Sequence, residues 1–137
     1  MANTVSPQEA LIYAMVTMSA ADRTMTDSEL KRIGAIVQGL PMFRDFDAER
    51  LVEVTEECGE LLAQPDSLHT VLDLIADSLP SRLYDTAYAL AVDVAAADLS
   101  VGQEELRMLQ LIRDRLGLDS LVCAAIECGA RARFRTL

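Results

Sequence analysis

Aromatic side chains are scarce in this 137-residue chain, which has no tryptophan, three tyrosines and three phenylalanines. Hydrophobic residues still make up 51% of the sequence, so a buried core must be built mainly from Leu, Ala, Val, Ile and Met. A core of this composition favours packed helices over an aromatic-rich sheet. Runs of alternating β-branched residues bounded by turns are also missing, so we expect an all-α protein.

Positive charge is also in short supply, because 12 Lys and Arg residues stand against 22 Asp and Glu residues and give a formal net charge of -10. Phosphates and anionic lipid headgroups bind through Lys and Arg, so nucleic acids and anionic membranes are poor partners for the body of the protein. Cations and basic proteins fit better. A basic tail of Arg131, Arg133 and Arg135 is a weak signal for nucleic acid or lipid, and an equally good contact for the acidic surface of a neighbouring subunit.

Long apolar segments are absent as well. The opening residues MANTVSPQEA have no basic leader, apolar core or small-residue cleavage site, so they predict no secretory signal. No uncharged apolar run approaches the roughly 18 to 20 residues that cross a bilayer. Three cysteines, Cys58, Cys123 and Cys128, cannot all pair within one chain, and reduced thiols in a cytoplasm are the simplest interpretation. We therefore expect a soluble, cytoplasmic protein without a membrane span, and leave a peripheral membrane complex open.

Sequence signatures of catalysis are missing too. The chain has no phosphate-cradling glycine loop, no nucleophile elbow, no zinc-ligand spacing and no paired acid and base. His69 is the only histidine, and no Ser or Cys is spaced to act with it as a nucleophile. A surface position is the simpler interpretation for this histidine. We therefore expect a protein that binds a partner or ligand and is not an enzyme.

Hydrophobic periodicity and turn residues predict about seven helices in one compact domain that spans residues 1–137. The first helix opens with a capping box of Ser6 and Glu9, and the second opens with one of Thr26 and Glu29. The starts predicted for the five later helices lie near Asp47, Asp66 or Ser67, Ser81, Gly102 and Asp119.

Helical spacing also predicts which side chains face the core. In the second helix these are Leu30, Ile33, Val37 and Leu40. In the sixth helix they are Leu106, Leu109, Ile112 and Leu116. The third helix has an acidic face opposite its apolar stripe, formed by Glu49, Glu53, Glu56, Glu57 and Glu60. This face is either solvated or a docking surface for a basic partner.

One stretch of the chain occurs twice, because Val16 to Leu40 matches Val92 to Leu116 in a register of 76 residues. Both copies have Ala-Ala-Asp at the end of an apolar run and Glu-Leu seven residues after that Asp. The matched carboxylates are Asp22 and Glu29 in the first copy and Asp98 and Glu105 in the second. Such self-similarity predicts two pseudo-symmetric helix-loop-helix halves, about residues 14–40 and 90–116.

The four matched carboxylates are the best candidates for a site. Glu29 and Glu105 fall in the first turn of a helix, where the helix dipole favours a carboxylate by about 0.3 to 1 kcal/mol. Asp22 and Asp98 fall at the carboxyl end of a helix, where the same dipole is unfavourable. Either these aspartates bond to backbone N–H groups of the turn, or a cation is held between the Asp and Glu of one copy. If the two copies face one another across a pseudo-twofold axis, all four carboxylates would hold the cation. Carboxylate oxygens would select calcium or magnesium rather than zinc.

These two Ala-Asp-x(6)-Glu-Leu units, in an acidic helical domain of this size, resemble the tellurite-resistance TerB family and its TerB-like relatives over about Pro7 to Gly129. The resemblance implies a compact helical bundle with two acidic halves, associated with bacterial tellurite resistance and with stress-response complexes near the membrane. It also implies metal binding by acidic residues, which by position are Asp22, Glu29, Asp98 and Glu105. Arg23 and Leu99 stand where the family pattern often has a glycine.

Three hypotheses follow. The first is a non-enzymatic TerB-like module of a stress or metal-resistance system, which binds a divalent cation or a partner protein through its acidic residues. The second is a structural or adaptor bundle in which the repeated Asp and Glu serve only as turn and capping residues. The third, an enzyme that uses these carboxylates around a metal to activate water, requires a cleft with an open coordination position. A partner protein or a homo-oligomer is compatible with the first two.

Overall fold

The computed structural model describes residues 4–21, 25–97 and 101–137, and these residues form helices joined by short turns, with no strand among them. The α-helices in this part of the chain are α1 (Pro7–Ser19), α2 (Asp27–Gly39), α3 (Leu51–Leu62), α4 (Leu68–Ser78), α5 (Tyr84–Ala97), α6 (Gln103–Leu116) and α7 (Ser120–Arg133). Single 3-10 turns lie at Pro41–Phe43, Ala48–Arg50 and Ser81–Leu83. The prediction of an all-α bundle of about seven helices is confirmed.

Helices α1 and α5 form the centre of the bundle. Every residue of α1 from Ala10 to Ser19 is buried, and α1 packs against α5, α3 and α4. Along α5, Ala87, Ala91 and Ala95 are buried. Their small side chains allow close helix approach, and the contact between α1 and α5 is the most extensive in the fold. No helix in the described ranges is long and apolar enough to cross a membrane.

The packing around the two central helices follows one plan. Helices α2 and α3 pack against α1, while α6 and α7 pack against α5. Helix α4 connects the two groups and packs against α1, α3 and α6. We refer to α1–α3 as the first half and to α5–α7 as the second half. Each half contains one copy of the repeated sequence in its first two helices.

Both predicted capping boxes are confirmed. Ser6 Oγ accepts a hydrogen bond from the Glu9 amide at 3.1 Å, and the Glu9 carboxylate accepts one from the Ser6 amide at 3.0 Å. Thr26 and Glu29 make the same pair of bonds at 3.2 and 2.9 Å. These bonds satisfy N–H groups that have no partner inside the helix, so they fix where α1 and α2 begin.

The start predicted for α4 is wrong in its chemistry. Ser67 precedes α4, but its backbone is helical rather than extended and its side chain caps nothing. Its hydroxyl instead donates to the Leu62 carbonyl at 3.1 Å, at the end of α3. Asp66 has a positive φ of 56° and belongs to the turn between the two helices. The Ser67 hydroxyl therefore bonds to the end of α3 and does not cap the start of α4 as predicted.

Two predictions of core-facing residues need correction. Ile33 and Val37 of α2 are buried as expected, but Leu40 is 36% exposed. On α6 the buried residues are Glu105, Met108, Ile112 and Leu116. Leu106 is instead 57% exposed. Ile112 and Leu116 are buried as predicted, but at the start of α6 the buried positions are Glu105 and Met108 instead of Leu106 and Leu109. Leu106 therefore faces the groove that α7 residues also line.

The carboxyl end of α7 and the residue after it pack against the rest of the bundle. An ion pair joins Arg133 of α7 to Asp93 of α5 at 2.7 Å. Phe134 follows directly and packs against the core. Among the cysteines, Cys58 and Cys123 are buried, but Cys128 is exposed.

Candidate functional site

Two of the four predicted metal-ligating residues, Glu29 and Glu105, lie in the described part of the chain. The other two, Asp22 and Asp98, lie outside it, as do their neighbours Arg23 and Leu99. Glu29 is the third residue of α2, and its Oε1 accepts a hydrogen bond from the Thr26 amide at 2.9 Å. Glu105 is the third residue of α6, and its Oε2 accepts one from the Gly102 amide at 2.8 Å. Each glutamate thus caps the start of its helix.

The two junctions differ at the residue that precedes the helix. Thr26 supplies a hydroxyl that accepts a bond from the Glu29 amide, whereas the matching Gly102 has no side chain. A Cβ atom at Gly102 would lie 2.8 Å from Oε2 of Glu105. The Glu105 carboxylate therefore fills the space of the missing side chain, and the residue is only 9% exposed.

A cation at these junctions would be held by carboxylate oxygens, the ligands that calcium and magnesium prefer. The capping bonds use one oxygen of Glu29 and one of Glu105, and a carboxylate has further acceptor capacity. Within the described ranges, no group of three or more His, Cys, Asp or Glu side chains is placed to hold a metal ion. The predicted cation site also includes Asp22 and Asp98, which lie outside these ranges.

An acidic face covers the exposed side of α3 and the start of α1. Arg50 lies in this face, and its guanidinium contacts Glu9 at 3.0 Å, Glu53 at 3.7 Å and Glu57 at 3.9 Å. The carboxylates come from both helices, and all of the α3 glutamates predicted on this face are exposed. We define the acidic face as Glu9, Glu49, Glu53, Glu56, Glu57 and Glu60. It is arranged so that several carboxylates reach one guanidinium.

A groove of about 620 Å³ lies in the second half, between α6 and α7 and above α5. Its apolar walls include Val92 and Ala96 of α5, Val101 and Leu106 at the start of α6, and Phe134 after α7. Val101 is 40% exposed, so the groove presents two sizeable apolar side chains to solvent. We refer to this feature as the α6–α7 groove. Its volume is in the usual range for ligand pockets, roughly 300 to 1,000 Å³.

Charged and polar side chains surround these apolar walls. Arg113 of α6, Arg131 of α7 and Arg135 line the α6–α7 groove together with Glu127. The hydroxyl of buried Tyr88 donates to Oε2 of Glu127 at 2.6 Å. Burial raises the pKa of Tyr88 above its ordinary value, and the bond to Glu127 raises it further. The tyrosine therefore stays a neutral donor, and Glu127 is held at the edge of the groove.

Sequence reasoning missed the α6–α7 groove, although the repeat contained a signal for it. In the same 76-residue register, Arg113 stands where the first half has Val37, and Tyr88 stands where it has Ile12. Ile12 and Val37 are both buried. A polar residue in place of a buried apolar one within a repeat indicates that the two copies enclose different environments.

Comparison with protein-family models matches residues 8–127 to the family described as tellurite resistance protein TerB. The match covers both junctions, the acidic face and most of the second half. It ends before Arg131, Phe134 and Arg135, which complete the α6–α7 groove. Neither the comparison with curated proteins nor the comparison with solved structures gave a match. The predicted resemblance over about Pro7 to Gly129 is confirmed.

Proposed function

Since this chain belongs to the TerB family of tellurite-resistance proteins, we propose that it is a non-enzymatic binding module of a bacterial stress or metal-resistance system. In this proposal the acidic face binds a partner protein through lysine or arginine side chains. The observation that supports it most strongly is Arg50, on which the carboxylates of Glu9, Glu53 and Glu57 converge. A guanidinium from a partner fits the same kind of surroundings.

Charge and exposure support the acidic face as the docking surface. Glu56 and Glu60 of α3 and Glu49 in the preceding 3-10 turn extend this face and are exposed, so they are available to a partner without rearrangement of the fold. The first hundred residues carry 17 Asp and Glu against six Lys and Arg. This excess of negative charge attracts basic partners to the part of the protein that contains the acidic face. Such complementary charge raises the association rate and selects against acidic partners.

The proposal is tested by measuring the affinity of a short fluorescent peptide of alternating Arg and Gly for two variants of equal net charge. Replacing Glu53, Glu56 and Glu60 with Gln is expected to weaken binding by about tenfold, since each lost contact is worth roughly 0.2 to 1 kcal/mol. The control variant replaces Asp45 and Asp85 with Asn and Glu104 with Gln, which are exposed elsewhere. Equal losses in both variants would contradict a localised docking face.

A second candidate function is binding of a divalent cation, calcium or magnesium rather than zinc, at the two junctions. It is favoured by the twin placement of Glu29 and Glu105 as third residues of their helices, each seven positions after an Asp in the sequence. A cation at about 100 times its dissociation constant adds roughly 2.7 kcal/mol to the native state. The melting temperature of chelator-stripped protein should then rise with one ion, and not in a variant carrying Asp22→Ala and Asp98→Ala.

Location and lack of catalysis also belong to this proposal. All three cysteines are free thiols, which is typical of a reducing compartment and supports a cytoplasmic setting. The view that the module is not an enzyme rests on the sequence, which lacks the motifs of nucleophilic, phosphate-binding and zinc-dependent catalysis. A net charge of -10 also opposes direct capture of an oxyanion such as tellurite by the body of the protein.

A further inference from the structure

The α6–α7 groove differs from the acidic face in both charge and polarity. Residues 101–137 carry six arginines and five Asp or Glu, although the whole chain has a net charge of -10. Charges separated by more than about 8 Å are largely screened at physiological ionic strength. A ligand in the groove therefore experiences mainly its own rim, where three arginines outnumber the single carboxylate of Glu127.

The rim arginines differ in how the fold uses them. Arg133 pairs with Asp93 and does not line the groove, whereas its neighbours Arg131 and Arg135 both do. Arg113 donates to Ser120 Oγ at 3.0 Å, which holds its guanidinium at the entrance to α7. Around the apolar residues of the groove, Arg113 is held by Ser120, whereas Arg131 and Arg135 are exposed.

The first half shows what the same arrangement looks like when it is closed. There Ile12 and Val37 are buried where the groove has Tyr88 and Arg113. A Cβ at Gly34 would lie 3.4 Å from Leu51 Cδ2, so α2 approaches the start of α3 closely. The second half has Gln110 at the position of Gly34, and that residue lines the open groove. The groove therefore lies where the two halves carry different side chains at matching positions.

We propose that the α6–α7 groove is a second docking site, which binds an acidic amphipathic helix of a partner protein. Its occupant carries large apolar residues at helical spacing, which cover Val101, Leu106 and Phe134, and Asp or Glu residues beside them, which pair with Arg131 and Arg135. Charge complementarity supports a ligand with these features, because the basic rim is an exception in an acidic protein. A helix also suits an open groove bounded by two helices, since it inserts one stripe of side chains.

This proposal is independent of the acidic face and predicts the opposite charge preference. The probe is a panel of short fluorescent helical peptides with leucines at positions i, i+4 and i+7 and glutamates beside them, compared with the same peptides carrying lysines. Binding of the glutamate peptides is expected to weaken by about tenfold or more in Leu106→Asp, and also in the double variant Arg131→Glu, Arg135→Glu. Leu106 is exposed, so its substitution should leave the fold intact.

Matched controls use exposed residues outside the groove. Leu121→Asp introduces the same charge at a leucine of α7 that is 76% exposed, and Arg44→Glu with Arg82→Glu makes the same charge change as the arginine pair. These controls should retain full peptide affinity. Failure of the whole panel to bind, equal binding of the lysine peptides, or equal losses in the controls would overturn the proposal.

Other occupants give distinct results in the same experiment. If laurate binds and its binding is lost in Leu106→Asp while no peptide binds, the groove takes an anionic lipid and the proposal is wrong. If sedimentation shows a dimer that Leu106→Asp dissociates while no peptide binds, the occupant is a second copy of the chain and the proposal is again wrong. Glutamate peptides that bind the monomer, lose affinity in Leu106→Asp and displace any laurate bound in the groove would support it.

Discussion

The first and second halves of this protein share a packing plan but differ in what the plan encloses. Each has a central helix, a second helix opened by a glutamate at its third position, and a third helix that packs back on the first. In the first half Ile33 and Val37 of α2 are buried. In the second half the matching Leu109 and Arg113 line the α6–α7 groove. One helical unit has thus become a closed core in one copy and a candidate binding site in the other.

The difference arises from the neighbours of α2 and α6. Helix α6 packs against α4, which covers the face of Met108, Ile112 and Leu116. Helix α2 packs against α1 and against the 3-10 turns at Pro41–Phe43 and Ala48–Arg50, and buries Ile33 and Val37. The comparison shows that the covering element, and not the apolar pattern alone, decides which face of a helix is buried.

The strongest test of this comparison exchanges residues between the halves at one position. Val37 is buried, so Val37→Arg places an unpaired positive charge in the core. We expect a loss of about 3 to 5 kcal/mol in the free energy of unfolding. The reverse change, Arg113→Val, alters a partly exposed site and should change stability by less than about 1 kcal/mol. Urea denaturation measures both. Losses of equal size would show that the two environments are alike.

A second test compares two isoleucines at matching positions. Ile112 of α6 is buried, whereas Ile36 of α2 is only partly buried. Ile112→Ala should cost about 2 to 4 kcal/mol, because it removes core contacts and leaves a cavity. Ile36→Ala should cost about 1 kcal/mol, since solvent already reaches part of its side chain. If urea midpoints fall equally for both variants, the assignment of buried faces is wrong.

A smaller effect is expected at the junctions, where the halves differ in their caps. Thr26→Ala removes the hydroxyl that accepts a hydrogen bond from the Glu29 amide. The free energy of unfolding should fall by about 1 kcal/mol. Ser6→Ala removes the same bond at the start of α1 and provides a comparison of equal chemistry. Thr70→Ala, at an exposed position within α4, should cost little and serves as the control. A loss at Thr26 no larger than that at Thr70 would contradict the capping role.

The thiols of α3 and α7 distinguish the halves without any mutation of the core. Burial raises the pKa of Cys58 to about 12, so its thiolate is scarce at pH 8, and Cys123 is buried as well. Cys128 is exposed and should react quickly with Ellman's reagent, whereas the other two should react only on unfolding. Cys128→Ser should remove the fast phase. Two fast thiols in the native protein would contradict the packing of α3 or α7.

The raised pKa of Cys58 also fixes the sign of the pH dependence at high pH. The pKa of the Cys58 thiol is about 9 in the unfolded chain and about 12 in the folded protein. Its contribution to the free energy of unfolding is therefore at its full value below pH 9. This contribution is lost as the pH rises from about 9 to about 12. Cys58→Ser should therefore flatten the decline of the unfolding free energy between about pH 9 and 12, as measured by urea denaturation.

Much of the fold was predictable because it depends on local chemistry. The boxes at Ser6 and Thr26 and the number of helices follow from capping, helical period and turn residues. The exposure of Leu106 was not predictable, because it depends on where α4 and α7 lie. The same holds for the Ser67 hydroxyl, which bonds to the end of α3 rather than to the start of α4. Each of these errors involves a contact between elements.

The candidate site was predictable to a similar extent. The repeat identified Glu29 and Glu105 as first-turn residues, and both cap their helices. A metal-binding role for them with Asp22 and Asp98 remains a proposal, since those aspartates lie outside the described residues. The α6–α7 groove required the structure, because Arg113 and Arg131 are 18 residues apart and meet only through the packing of two helices on α5.

We propose that the acidic face and the α6–α7 groove bind ligands of opposite charge. This proposal is tested most directly by NMR titration of the full chain with the arginine-glycine peptide and with the glutamate-leucine peptide in turn. We predict that the first shifts amide signals of α3 around Glu53 and Glu57, and that the second shifts those around Leu106 and Arg131. If both peptides shift the same set of signals, or neither shifts any, the two surfaces are not separate binding sites.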